Sequence, residues 1–156
     1  MERIASFSVD HTKLQKGMYT SRVDFGDIVT YDVRMKEPNK GDYLSPGAAH
    51  TLEHLFATYA RNSPYQDTIV YVGPMGCLTG CYLVVKGLAA KDAIALSQNA
   101  MAFIRDFTGP VPGAAEAECG NYQLHDLPAA QAVAADMVNV LAGWREEDLA
   151  YAAYLD

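Results

Sequence analysis

His50-Thr51-Leu52-Glu53-His54 is the stretch around which this chain is organised. At about 100° per residue, His50, Glu53 and His54 fall within one sector of a helix surface, with Leu52, Leu55, Phe56 and Tyr59 on the opposite one. Such a helix packs with one face and offers the other to a ligand. Histidines at i and i+4 reach a single divalent cation, and the carboxylate between them stands beside it. The order H-x-x-E-H inverts the commoner zinc-protease spelling. The same five residues also suit two half-buried histidines and a surface glutamate on an ordinary amphipathic helix, so the rest of the chain has to decide.

Working outward, Ser45-Pro46 is a helix start, with Ser45 as the N-cap and Pro46 at the first helical position. The helix should run to about Arg61, ahead of Asn62-Ser63-Pro64. On its N-terminal side, residues 23–34 read as two strands around Gly26-Asp27, or as one strand with a bulge, and residues 1–22 as an extended segment and loop. On its C-terminal side, residues 67–73 and 78–86 are rich in Val, Ile, Tyr, Leu and Thr and read as strands around Gly73-Pro74-Met75-Gly76-Cys77. Leu96, Ala100, Phe103 and Phe107 mark a buried stripe on a helix over residues 91–107. A short strand is expected over residues 115–124, then a helix from about Pro128 to Leu141 with Val133, Met137, Val140 and Leu141 inward, then a weakly helical tail. Strands and helices intermix without a βαβ rhythm. The expected fold is therefore α+β, a single domain over residues 1–156 with an antiparallel-type sheet packed against helices.

Composition narrows the function class. Half of the 156 residues are apolar, enough for a core without disulfide or metal staples. A net charge of −7 argues against nucleic acid or an anionic membrane as partner. Seven of the twelve basic residues occur by Lys40, and Arg145 is the one basic side chain after Arg105, which leaves the C-terminal third a solvated acidic surface. No apolar run reaches membrane-span length, and Met1–Ser6 lacks the pattern of a signal peptide. Three cysteines are an odd number, better suited to ligands, catalytic thiols or core residues in a reducing cytoplasm than to a disulfide framework. A cytoplasmic enzyme is expected.

Two histidines do not complete a tetrahedral site. Cys119, between Glu118 and Gly120, is the thiol chosen as third ligand; its alternative is a small buried core residue. Cys77 and Cys81 are excluded as a shared-ion pair because four extended residues would part them by roughly 13 Å. Cys77 then stands on a turn as a reactive thiol, and Cys81 packs. A His-His-Cys site keeps one position open, the catalytic arrangement, and Glu53 is the proton carrier beside it. His125 is expected to make a structural hydrogen bond. Arg34 ends a strand, where it binds an anionic group or a surface carboxylate.

Several separate stretches then converge. Ser6-Phe7 with Asp10-His11-Thr12, Tyr31-Asp32-Val33-Arg34 with Pro38-Asn39-Lys40, His50 to Leu55, Gly73 to Cys77 with Thr79-Gly80, Glu118-Cys119-Gly120-Asn121 and Leu124-His125-Asp126-Leu127 together resemble the S-ribosylhomocysteine lyase (LuxS) family. The resemblance runs from Ser6 to about Leu127. It implies cleavage of S-ribosylhomocysteine to homocysteine and 4,5-dihydroxy-2,3-pentanedione, the autoinducer-2 precursor, by a homodimer with shared active sites. It implies one divalent metal per subunit, ferrous iron in the cell and often zinc on isolation, held by His50, His54 and Cys119. Glu53 and Cys77 match the acid–base groups, and Ser6, His11 and Arg34 match substrate-pocket positions. Tyr71 stands where many members carry an aspartate, Gly73 where a serine is frequent, and Cys81 where an aromatic residue is usual, which adds a thiol near the site and an oxidation liability. Two rivals remain: an H-x-x-E-H metallopeptidase, against which the short chain and Cys119 count, and a non-catalytic zinc module, which needs a fourth protein ligand.

Overall fold

The computed structural model describes residues 1–155; Asp156, the end of the expected domain and of its acidic stretch, lies outside the described residues. Four strands form one antiparallel sheet in the order β1-β2-β4-β3: β1 (Gly17–Asp24), β2 (Ile28–Arg34), β3 (Ile69–Pro74) and β4 (Gly80–Lys86). Three helices accompany it, α1 (Pro46–Arg61), α2 (Ala90–Asp106) and α3 (Leu127–Val140). The α+β class with an antiparallel sheet is as the sequence indicates.

Helix α1 begins and ends where its signals lie. Ser45 Oγ accepts from the Ala48 amide at 3.1 Å, a cap worth about 1 kcal/mol. Leu52, Leu55 and Phe56 are fully buried between the sheet, α2 and α3, and truncating any of them to Ala should cost about 2–5 kcal/mol. Tyr59, at the rim, meets Phe103 with ring centroids 5.2 Å apart. In α2 the buried stripe is carried by Ile94, Leu96, Ala100, Met101 and Ile104, whereas Phe103 and Phe107 are only half-buried, so the expected stripe is rotated.

Strand β1 starts at Gly17, well inside the expected loop, and makes a hairpin with β2 through Phe25 and Gly26, both at positive φ. Its polar composition hides it: β1 is an edge strand, and a register shift between Thr20 and Arg22 breaks its alternation. The strand expected over residues 115–124 is absent; the segment is a series of turns, with the Glu118 and Cys119 amides both donating to Ala115 O. It has no neighbouring strand to supply a ladder.

Along β2 the period of two sends Tyr31 and Val33 into the main core and Asp32 and Arg34 to the other face. That face is covered by a small second core of Val9, Leu14 and Tyr19 with Trp144, Tyr151 and Tyr154. Arg34 is therefore buried and paired with Asp32, which corrects the surface-carboxylate alternative.

Cys81 faces the main core, fully buried, which removes the oxidation liability expected of it. Burial, with the negative charge of Glu53 adding, pushes its thiol up to about 12. The sign follows: a pKa raised on folding costs nothing below the unfolded-chain value of about 8.5, and stability is lost above it as pH rises toward the folded value. Iodoacetamide at pH 8 should accordingly label exposed Cys77 and spare Cys81 until denaturant is added. Native-state labelling of Cys81 as fast as that of Cys77 would contradict this packing.

Candidate metal centre and adjoining cavity

His50 and His54 project from one face of α1, one turn apart, and their rings meet edge to face with centroids 4.5 Å apart. The long turn segment between α2 and α3 folds back over them. His50 Nδ1 donates to Leu124 O at 2.6 Å, and His54 Nδ1 donates to Pro112 O at 2.7 Å. Because a carbonyl only accepts, each bond fixes a proton on Nδ1, so that in the neutral ring Nε2 is the nitrogen with a lone pair to offer. Both Nε2 atoms point to the same sulfur: Cys119 Sγ lies 3.4 Å from that of His50 and 3.9 Å from that of His54. Tetrahedral bonds of about 2.0–2.3 Å put neighbouring N and S ligands about 3.3–3.6 Å apart, close to what is observed. The donors fit a divalent metal.

A glycine favours these carbonyl contacts. Gly113 has φ +73°, and a Cβ there would press on His54 Nδ1 at 3.1 Å. A side chain would be strained at this φ and would crowd the imidazole.

His125 joins the group, since its ligand nitrogen and those of His50, His54 and Cys119 Sγ all lie within 4.8 Å of one another. It makes the structural bond expected of it, Nδ1 to Thr51 Oγ1 at 2.9 Å, and stacks on His50 with centroids 4.1 Å apart. Its Nε2 is buried without a hydrogen-bond partner, and its place in the cluster is not evident from the sequence. The available signal was the closeness of Leu124-His125 to Cys119 in the chain. Burial, reinforced by the two neighbouring imidazoles, holds His125 below the ordinary histidine range. Glu53, half-buried on the same turn of α1, is not a member of this cluster among the described residues. The histidines of the H-x-x-E-H stretch are thus gathered with Cys119, and its glutamate is not.

The other predicted residues gather elsewhere. His11, Arg34 and Cys77 line one cavity of about 220 Å³ together with Pro38, Asn39, Tyr43 and Thr79. Gly80 brings its walls together: it pairs with Arg34 across β2 and β4, and a Cβ there would collide with Val33 O. Cys77 sits exposed on the β3–β4 turn with Sγ 3.0 Å from Thr79 Oγ1 and 4.0 Å from Arg34 Nη1. Ser6 lies in a small adjoining cleft, also lined by His11 and Arg34. The expectation that Cys77 and Cys81 share no ion agrees with the donor cluster, which contains neither. The intervening residues are a turn, however, with Leu78 at positive φ, and the two thiols are kept apart by facing cavity and core.

Residues 4–148 match the family model described as S-ribosylhomocysteinase (LuxS). The chain belongs to the LuxS family. It is 55% identical over 136 residues to the S-ribosylhomocysteine lyase of Phocaeicola vulgatus, covering 84% of each chain. It is 49% identical over 157 residues to that of Porphyromonas gingivalis, covering 97% of this chain and 99% of the relative, and 42% identical over 156 residues to that of Borreliella burgdorferi. The Tyr71 ring lies so close over Gly73 that a Cβ at Gly73 would require this exposed ring to swing aside.

Replacing Gly113 with Ala tests the contact that orients His54. The side chain is strained at this φ and crowds His54, so divalent-metal affinity, read by competition with a chromophoric chelator, should fall about 10–100-fold. Unchanged affinity would mean that this turn does not orient His54.

Proposed function

We propose that the chain is an S-ribosylhomocysteine lyase, a carbon–sulfur lyase that yields homocysteine and 4,5-dihydroxy-2,3-pentanedione, the precursor of autoinducer-2 in quorum sensing. The LuxS match over residues 4–148 carries the reading, and the donor cluster on α1 supports the metal centre it requires. His50, His54 and Cys119 are the proposed ligands of one divalent ion per subunit. This borderline nitrogen and sulfur set suits ferrous iron as the native metal and zinc as its replacement on isolation. Family membership counts against the peptidase and the closed zinc module.

When bound, the metal supplies a Lewis acid that draws charge onto the sugar oxygens as the carbonyl migrates. Moving the carbonyl from C1 to C2 and then to C3 requires, at each stage, a proton removed from one carbon and another delivered to its neighbour. We assign these transfers to Cys77 and Glu53. A proton leaving Cys77 leaves an anion beside the Thr79 hydroxyl and the Arg34 guanidinium. With the carbonyl at C3, the C4–H is acidic; its removal forms a C4–C5 double bond as the C5–S bond breaks, and the departing thiolate takes a proton to become homocysteine. The enol left behind moves its hydroxyl proton to C5 to give the diketone. Ser6, His11 and Arg34 are assigned to holding the substrate.

The working unit in this reading is a homodimer with shared sites. No described residue is common to the donor cluster and the Cys77 cavity, and Phe7 and Tyr43 near the cavity stay exposed in the single chain. No described helix is long and apolar enough to cross a membrane, and three free thiols suit a cytoplasmic setting for this single-domain enzyme.

Protein purified without oxygen and loaded with ferrous iron should release thiol from S-ribosylhomocysteine, and the metal-free protein should not; a loaded protein that releases none would overturn the proposal. Cys119→Ala should lose most of its metal and its turnover. Cys77→Ala should keep its metal while turnover falls about 10²–10⁴-fold, the usual worth of a proton carrier. Loss of metal from Cys77→Ala would make that thiol a ligand. Mixing inactive Arg34→Ala and Glu53→Ala subunits should restore part of the activity if the two residues serve one site from different subunits; fully active monomers in sedimentation would exclude a shared site.

A further inference from the structure

Asp32 and Arg34 form an ion pair that is nearly inaccessible, at 1% and 4% exposure. Charges so buried are costly unless hydrogen bonds satisfy them. Arg34 Nη2 donates to Asp32 Oδ2 at 2.6 Å and Nη1 to Thr79 Oγ1 at 2.8 Å, on the wall of the Cys77 cavity. A further donor reaches the same carboxylate oxygen: the Tyr151 hydroxyl, at 2.5 Å. Tyr151 belongs to the C-terminal tail, beyond residues 4–148 that match the family model.

The tail is anchored at several points. Tyr151 stacks on Tyr19, centroids 5.0 Å apart, and Tyr19 stands opposite Asp32 in the β1–β2 register. Tyr154 O accepts from the Asp10 amide at 2.6 Å, and Leu155 bridges to Val9, whose carbonyl accepts from His11 Nδ1 at 2.8 Å. Burial, then the charge of Asp32, raise the Tyr151 phenol well above its ordinary range, so its hydroxyl remains a donor. With Oδ2 shared between phenol and guanidinium, Asp32 holds Arg34 by one nitrogen and leaves the other directed at Thr79 and the cavity.

We propose that Tyr151 is a positioning residue of the substrate pocket, its hydroxyl fixing Asp32 and through it Arg34, while its tail secures the segment that carries His11. This rests on the assignment of Arg34 to substrate binding. The test uses metal-loaded protein in a Glu53→Gln background, where turnover is blocked, with calorimetric titration of S-ribosylhomocysteine and a melting curve for every variant. Tyr151→Phe keeps the stacked ring and removes only the hydroxyl. It should weaken binding by up to roughly tenfold, the cost of ordering a freed Arg34 side chain when substrate binds. Arg34→Ala should weaken binding at least as much, and adding Tyr151→Phe to it should cost little more. Tyr154→Phe, which packs on the same Tyr19 without touching Asp32, should leave the affinity within about twofold, so that a general loosening of the tail is distinguished from loss of the Tyr151 hydroxyl. Unchanged binding in Tyr151→Phe beside a large loss in Arg34→Ala would overturn the proposal, as would fully additive losses in the double variant. No loss in Arg34→Ala would instead overturn the assignment on which it rests.

Discussion

Two backbone carbonyls determine what this protein can do. Pro112 O and Leu124 O, both in the turn segment between α2 and α3, take the Nδ1 protons of His54 and His50. Without those bonds each imidazole could turn or switch tautomer, and two histidines one helical turn apart would be only half-buried side chains. With them, both Nε2 lone pairs are aimed at the point that Cys119 also faces. The segment must therefore be irregular. A ladder through residues 115–124 would compete for Leu124 O, whereas turns leave it to His50. The metal centre is built by the loop as much as by the helix.

A second constraint shapes the other half of the candidate site. The pleat of β2 places Asp32 and Arg34 on the face away from the helices, where a globular protein would ordinarily meet water. Here the N-terminal segment and the C-terminal tail cover that face with Val9, Leu14, Trp144 and Tyr151, packed around Tyr19 of β1. Removing one partner of the enclosed ion pair should cost about 3–5 kcal/mol, because the other charge would remain buried alone. The cover thus holds the pair in place, as the substrate-binding role proposed for the cavity wall of Arg34, Thr79 and Cys77 requires.

How much of this could be read beforehand depended on whether the information was local. Helix α1 was legible to the residue, because Ser45, Pro46 and the periodic Leu52, Leu55 and Phe56 all act within a few positions of themselves. The closeness of Cys119 to the two histidines followed from the chemistry of a site that needs a third donor and from the family likeness. Strand β1 was not legible: an edge strand with a bulge and a polar outer face lacks the alternation that marks strands. The burial of Arg34 and the inward Nε2 of His125 were hidden because each depends on segments distant in sequence, the tail for one and α1 for the other. Cys81 was assigned correctly to packing but wrongly to oxidation, since its protection comes from a core that β4 and the helices build together.

In the proposed centre the divalent ion is held by one thiolate and by imidazoles that the loop pre-orients. X-ray absorption at the metal edge of the anaerobically purified protein tests this without substrate or turnover. One sulfur at about 2.3 Å and at least two imidazole nitrogens at about 2.0–2.1 Å are expected, with the sulfur lost in Cys119→Ala and retained in Cys77→Ala. Two sulfurs in the native shell, or a sulfur that survives the loss of Cys119, would contradict it.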